Sequence, residues 1–282
     1  MFTNRSRLSA GGVLAVSALL SGPARGEALH LAYEANWGGL HVADFTLSLD
    51  QRDGVYENRL RLETRGVTRY FSNFSMTAEG QGRIDAHPAS HVAGHYRTEY
   101  VNAKHFRWLD IVFTPATLPA QSKTGTQPLP DRPDAWNPRD KGPETLDDVP
   151  EAERIGVLDP LALVSEMRLK VREHFAGGPS TWVLKGFDGR RRFDMTLAYL
   201  GPATRTIGER VRETYRVRVT PTPLAGFKKR HEEIWKSSPY DFYLSRDGAF
   251  VPLQIAPVNH GPVLTLTDIC PTECELRDEE TN

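Results

Sequence analysis

Leu29-His30-Leu31-Ala32-Tyr33-Glu34-Ala35-Asn36-Trp37, then Gly38-Gly39, then Leu40-His41-Val42-Ala43-Asp44-Phe45-Thr46-Leu47-Ser48-Leu49, is the stretch that decides the fold class. Leu29, Leu31, Tyr33, Ala35 and Trp37 fall on one face, with His30, Ala32, Glu34 and Asn36 on the other, which is the period-two pattern of a half-buried strand. A second alternating run follows the glycine pair, so the two form a hairpin. Asp53-Gly54, Asp188-Gly189 and Asp247-Gly248 are three more two-residue turn signals between alternating segments. Further strands are expected over 55–65, 72–84, 91–102, 105–114, 180–188, 190–200, 210–220, 230–236, 239–246, 249–256 and 261–268. So many strands must curl or close, and the chain is read as mainly β: a large curved antiparallel sheet or open barrel.

One helix stands out among the strands. Asp159 suits the N-cap and Pro160 the first helical position, while Leu161, Val164, Met167, Val171 and Phe175 recur at three and four residues. This predicts an amphipathic helix over about 159–175, wrapped by the sheet because both elements have an apolar face to bury. Gly177-Gly178-Pro179 ends it. Between Pro115 and Pro150 eight prolines fall among polar residues, which predicts a long loop, a lid or a spacer, carrying Trp136.

Residues 1–26 read as a signal peptide: Arg5 and Arg7, an apolar run from Leu8 to Leu20 too short to span a membrane, then a polar, small-residue segment. Cleavage is expected after Gly26, alternatively after Ala28. Residues 27–282 then form a single β-rich domain without a membrane span, exported to the periplasm. Lys+Arg 35 against Asp+Glu 36 gives a formal charge of −1, and losing Arg5, Arg7 and Arg25 lowers it by three to −4, so nucleic acid is not an expected partner. Cys270 and Cys274 flank Pro271-Thr272-Glu273 and are a candidate local disulfide, with free thiols, then metal or redox work, as the alternatives.

No Gly-x-Ser-x-Gly elbow, Cys–His pair, His-Glu-x-x-His helix or Gly-rich phosphate loop is present, so the chain is read as non-enzymatic and without a cofactor or metal. His87, His91 and His95 recur every fourth residue, but as half a metal site at most; solvated histidines on an outer strand face are the plainer reading. His174 belongs at a helix C-terminus for electrostatic reasons. Arg190-Arg191-Arg192 and Lys228-Lys229-Arg230 are followed by acids and read as solvated strand ends, with Arg190 and Arg192 the candidate anion contact. Trp37, Phe45, Phe71, Phe74, Phe106 and Trp108 are candidate linings of an apolar ligand cavity inside the curved sheet.

Four segments together resemble the domain of unknown function 3108 family of exported bacterial proteins: Tyr33-Glu34-Ala35-Asn36-Trp37-Gly38-Gly39-Leu40-His41-Val42-Ala43, Ala78-Glu79-Gly80-Gln81-Gly82, Leu158-Asp159-Pro160-Leu161 and Phe187-Asp188-Gly189-Arg190-Arg191-Arg192-Phe193-Asp194. The resemblance implies a periplasmic, β-rich envelope protein and supplies no catalytic residues. Where family members carry cysteines, this chain has Trp182, Leu184 and Val217. The expected function is binding of an apolar or amphiphilic envelope component, a lipid or a peptide. A scaffold holding an envelope protein partner is the alternative, and a hydrolase with dispersed carboxylates the second.

Overall fold

The computed structural model describes residues 28–276 apart from 72, 87–88, 103–104, 116 and 130–148; the leader over 1–26, His87, Trp136 and most of the proline-rich segment lie outside the described residues. The first half is an antiparallel meander of β1 (Leu29–Trp37), β2 (Leu40–Arg52), β3 (Val55–Thr64), β4 (Ser75–Ala86), β5 (Ala89–Val101), β6 (His105–Phe113) and β7 (Gln121–Pro128), with the short α1 (Thr68–Phe71) between β3 and β4. A 3-10 turn (Glu151–Arg154) and α2 (Pro160–Phe175) lead to a second meander: β8 (Thr181–Phe187), β9 (Arg192–Ile207), β10 (Arg210–Ala225), α3 (Lys229–Lys236), β11 (Tyr240–Leu244), β12 (Pro252–Pro257) and β13 (Val263–Cys270). β13 pairs with β1, so both halves join one thirteen-stranded sheet that runs from β7 through β1 and β13 to β8.

The alternation in the opening hairpin does what the period-two pattern requires: Leu29, Leu31, Tyr33 and Ala35 are buried on β1. Gly38 and Gly39 both have positive φ, as do Asp53 and Gly54, which is the geometry of two-residue type I′ turns. The sheet is not closed, because β7 and β8 remain unpaired with each other. The β8–β9 turn bridges the gap with side chains: a Cβ added at Gly189 would lie 2.7 Å from Leu109 Cδ2 on β6, and Arg190 Nη2 donates to Thr124 Oγ1 on β7 at 3.0 Å. The backbone of Leu158 covers part of the β8 edge, donating to Lys185 O at 2.8 Å and accepting from Phe187 N at 2.9 Å.

α2 runs inside this curl. Leu161, Ala162, Leu163, Met167 and Val171 are buried, but so are Ser165, Glu166 and Arg168, which sit on other faces. The helix is therefore enclosed on several sides rather than amphipathic, a departure from the expectation. It is tied at both ends. Asp159 caps it by accepting from Leu161 N and Ala162 N through Oδ1 at 2.8 Å each. Tyr56 Oη donates to the other carboxylate oxygen at 2.5 Å, and Asp159 N donates to His91 Nε2 at 3.0 Å. Asn58 Nδ2 reaches Leu161 O and Ser165 Oγ from β3. Near the C-terminus Arg168 and Arg172 donate to the carbonyls of Ala249 and Gly248. These buried hydrogen bonds hold one helix orientation, because a shift leaves a buried donor or acceptor without its partner. Among the described residues no helix is long and apolar enough to cross a membrane.

Four expectations are corrected. Residues 121–128, expected within a loop, form edge strand β7, and 230–236, expected as a strand, belongs to helix α3. Asp188 does not share the positive φ of Gly189; its Oδ1 accepts from Arg190 N at 3.0 Å and Arg191 N at 2.7 Å, so the β8–β9 connection is a longer Asx-type turn rather than type I′. The β11–β12 connection around Asp247-Gly248 also exceeds two residues, with positive φ at Gly248 and Phe250.

Candidate functional site

Between α2 and the two arms of the sheet lies a cavity of about 520 Å³, partly open to solvent. One arm supplies Phe74 from just before β4 and Met76 from its start, Tyr96, Thr98 and Tyr100 from β5, and Leu109 from β6. The other supplies Leu184 from β8, Phe193, Met195 and Leu197 from β9, Val219 from β10 and Phe242 from β11. α2 forms the third wall with Leu163, Val164 and Met167, and Trp235 of α3 covers part of it. The period-two pattern explains this lining: alternate residues of each strand face inward, and a curled sheet too wide to fill with its own side chains leaves a hollow beside the helix. Trp235 packs on Phe193 at 5.0 Å and Phe227 at 5.1 Å between ring centroids, which fixes the helical cover against the β9 wall.

The polar part of the wall is the β8–β9 turn. Asp188, Arg190 and Arg191 are the charged residues lining the cavity among those described. Burial pushes the Asp188 carboxyl up from its ordinary value, against the pull of the two backbone N–H bonds and the two arginines. Arg191 Nη1 stands 3.9 Å from Asp188 Oδ2, and its guanidinium lies over Phe227 at 5.5 Å. Tyr96 faces the same region: burial raises its hydroxyl, and the charges of Asp159 and Asp188 raise it further. Tyr100 accepts a hydrogen bond from Arg107 Nη1 at 3.3 Å. Asp188 is the one carboxylate on the wall among the described residues, so the pair of convergent acids that a dispersed-carboxylate hydrolase needs is not found here.

Of the expected cavity residues, Phe74 lines it. Phe45 packs on the buried core instead, and Phe71 closes α1 with its side chain outside the described ones. Trp37 is 60% exposed at the hairpin tip, past the register shift that follows Ala35. Phe106 and Trp108 point to the outer face, since Arg107, Leu109, Ile111 and Phe113 take the inner positions of β6. Trp108 lies across Gly125 of β7, where its indole fills the space a Cβ would take, and stacks under Arg97 at 5.7 Å. Arg190 lines the cavity, but Arg192 does not: it is 4% exposed and pairs with Asp194 at 2.7 Å, so it is neither solvated nor an anion contact.

His91 is also misplaced by the plain reading. It is 2% exposed, while His95 stands half in solvent beside Asp110 at 2.9 Å. A bulge explains the split: Arg83 pairs with Ala93 and Ile84 with His91, so one extra residue, Val92, reverses which face the strand presents. Cys270 and Cys274 are disulfide-bonded with Cα atoms 5.5 Å apart, and Arg59 Nη1 pairs with Glu273 inside that loop at 2.6 Å.

No curated protein matches the sequence. A crystal structure of a beta-barrel-like protein of the domain of unknown function DUF1849 from Brucella abortus has a similar fold, with a TM-score of 0.50 and 9% identity, covering 86% of this chain and 97% of that one. The family model described as Protein of unknown function (DUF3108) matches residues 32–266, from within β1 to within β13, and the chain therefore belongs to that family.

Proposed function

We propose that this is an exported periplasmic protein that binds an apolar or amphiphilic component of the cell envelope, without turning it over, in the cavity beside α2. The observation that carries the reading is the cavity itself. Its 520 Å³ falls within the roughly 300–1,000 Å³ of small-molecule sites, and its wall is dominated by Phe, Met, Leu, Val and Trp side chains with a small polar cluster at one place. A pocket kept open in a protein interior forfeits packing energy that side chains could have recovered, at about 24 cal/mol per Å³, so an occupant that restores those contacts is favoured. The rival scaffold reading uses exposed sheet edges or the loop from Pro115 to Pro150, and of the two end strands Leu158 already occupies part of the β8 edge.

Val164→Trp tests the reading by filling the cavity from the helix wall. Binding of a long-chain fluorescent amphiphile, followed by energy transfer from tryptophan, is expected to be saturable in the parent and lost in the variant, while far-ultraviolet circular dichroism stays the same. Equal binding by both proteins sinks the cavity as the site. Export is tested by N-terminal sequencing of protein recovered from the periplasm, with Glu27 expected first, or Leu29 if cleavage follows Ala28.

A further inference from the structure

We infer that the protein docks on a lipid bilayer bearing anionic head groups, through the end of the sheet at which the cavity opens. It rests on the cavity reading for what passes the mouth, and on the rim alone for the docking. The antiparallel meander gives the sheet two ends. α2 is tied at one of them: Asp159 meets Tyr56 and His91 near the starts of β3 and β5, and Arg168 and Arg172 reach the carbonyls of Ala249 and Gly248 between β11 and β12. The cavity is lined from the opposite end, by Phe74 before β4, Tyr100 near the end of β5, the β8–β9 turn and Trp235 of α3. Its mouth is on that side.

Four connections form a continuous rim there. Thr68 Oγ1 donates to Val42 O at 2.8 Å, which joins the β3–β4 segment to the β1–β2 hairpin. Asn36 pairs with Val263, which joins the hairpin to the β12–β13 loop. Asn259 Nδ2 donates to Ser237 O at 2.8 Å, which joins that loop to the end of α3. Each connection exposes apolar side chains: Val67, Trp37 with Leu40, Val258 and Ile234. Single exposed apolar residues are ordinary, and Val55 and Val211 show them at the other end too. Charge makes the distinction. By sequence, 36–43, 66–74 and 257–263 contain no Asp or Glu, and 226–239 carries four basic side chains against two acids. At the other end 50–57, 205–213 and 245–251 carry six acids against five bases. Apolar tips beside cations fit the boundary between acyl chains and anionic head groups, where binding grows with buried apolar area plus electrostatic attraction and where tryptophan concentrates. The tips are spread along an arc, one or two to a connection, rather than gathered into the packed apolar centre of a protein–protein interface. An apolar ligand drawn from the bilayer then reaches the cavity without crossing water.

The experiment floats the full mature protein with vesicles of phosphatidylcholine alone or mixed with phosphatidylglycerol. The parent is expected to bind the mixed vesicles about tenfold or more tightly than phosphatidylcholine alone, and to be released by high salt. Trp37→Ser/Leu40→Ser and, separately, Lys228→Gln/Lys229→Gln are expected to weaken binding about tenfold or more, while Val211→Ser at the other end leaves it unchanged. All five positions are exposed, and circular dichroism checks that each variant folds; should the first double variant not fold, Trp37→Ser alone repeats the test. A parent that stays in the lipid-free fraction, as a rim built for a protein partner would, overturns the inference and leaves the cavity reading standing. Equal weakening by Val211→Ser overturns it as well. Val164→Trp separates the two claims: with its cavity filled it is expected to float like the parent, so a parent that floats but takes up no amphiphile overturns the cavity reading alone.

Discussion

Replacing Gly189 by valine strains two features at once, and their sizes can be separated. Gly189 has φ +89°, a region in which a β-branched residue is a steric outlier, and holding one there costs about 1–3 kcal/mol. The new Cβ would also stand 2.7 and 2.8 Å from the two Leu109 methyls and 3.0 Å from Ile111 Cδ1, inside ordinary contact distance. Both neighbours are buried and cannot swing into solvent, so overpacking adds about 1–3 kcal/mol. Gly201 supplies the control: its φ is +100° and a Cβ there meets nothing within 4 Å. Gly201→Val therefore carries only the conformational cost of about 1–3 kcal/mol, whereas Gly189→Val carries about 2–6. Urea denaturation followed by tryptophan fluorescence measures both midpoints. Equal losses in the two variants would falsify the claim that the β8–β9 turn is packed against β6.

Tyr56→Phe removes the hydroxyl that bonds the buried Asp159 carboxylate without opening a cavity, and is expected to lower unfolding free energy by about 1.5–3 kcal/mol in the same assay. A change below about half a kcal/mol would mean that the cap does not depend on Tyr56. Burial pushes the Glu166 carboxyl from its ordinary 4.5 up to about 7. The folded chain thus holds a proton that the unfolded chain has lost between those values, and stability falls as pH rises through that window and then levels off. Glu166→Gln is expected to be neutral at pH 4 and more stable than the parent by up to about 3 kcal/mol at pH 8; parallel pH profiles of parent and variant would contradict this. Breaking the Cys270–Cys274 bridge with serine closes out only a five-residue loop, so the expected loss is about 2 kcal/mol or less, read as a shift in thermal midpoint of the oxidised against the variant protein.

The parts of the fold readable in the sequence are those in which local chemistry and tertiary packing agree. Leu29 to Leu49 alternates around Gly38-Gly39 and folds as a hairpin; Asp159-Pro160 starts a helix that Gly177 ends. The parts that escaped are those settled by neighbours. Gln-Ser-Lys-Thr-Gly-Thr-Gln-Pro of β7 has no apolar alternation, and is a strand because β6 offers it a ladder and Trp108 covers its glycine. Trp108 and Phe106 attracted attention as aromatics, yet the less conspicuous set Leu109, Ile111 and Phe113, with a charged Arg107 obscuring the pattern, marks the inner face. His91 sits inside because of a bulge that no spacing rule reveals, and its partners Tyr56 and Asp159 come from distant parts of the chain. At the candidate site Phe74 and Arg190 were legible. Met76, Tyr96 and Trp235 were not, since only the curl of the sheet brings β4, β5 and α3 around one hollow.

Native mass spectrometry of the mature protein, purified from its own periplasm without detergent, tests the central claim most directly. The account predicts a mass exceeding that of the mature chain by one ligand per protein, with the excess released as an apolar or amphiphilic molecule on organic extraction and absent from Val164→Trp purified alongside. A bare mature mass for the parent, or the same adduct on parent and variant, would contradict it.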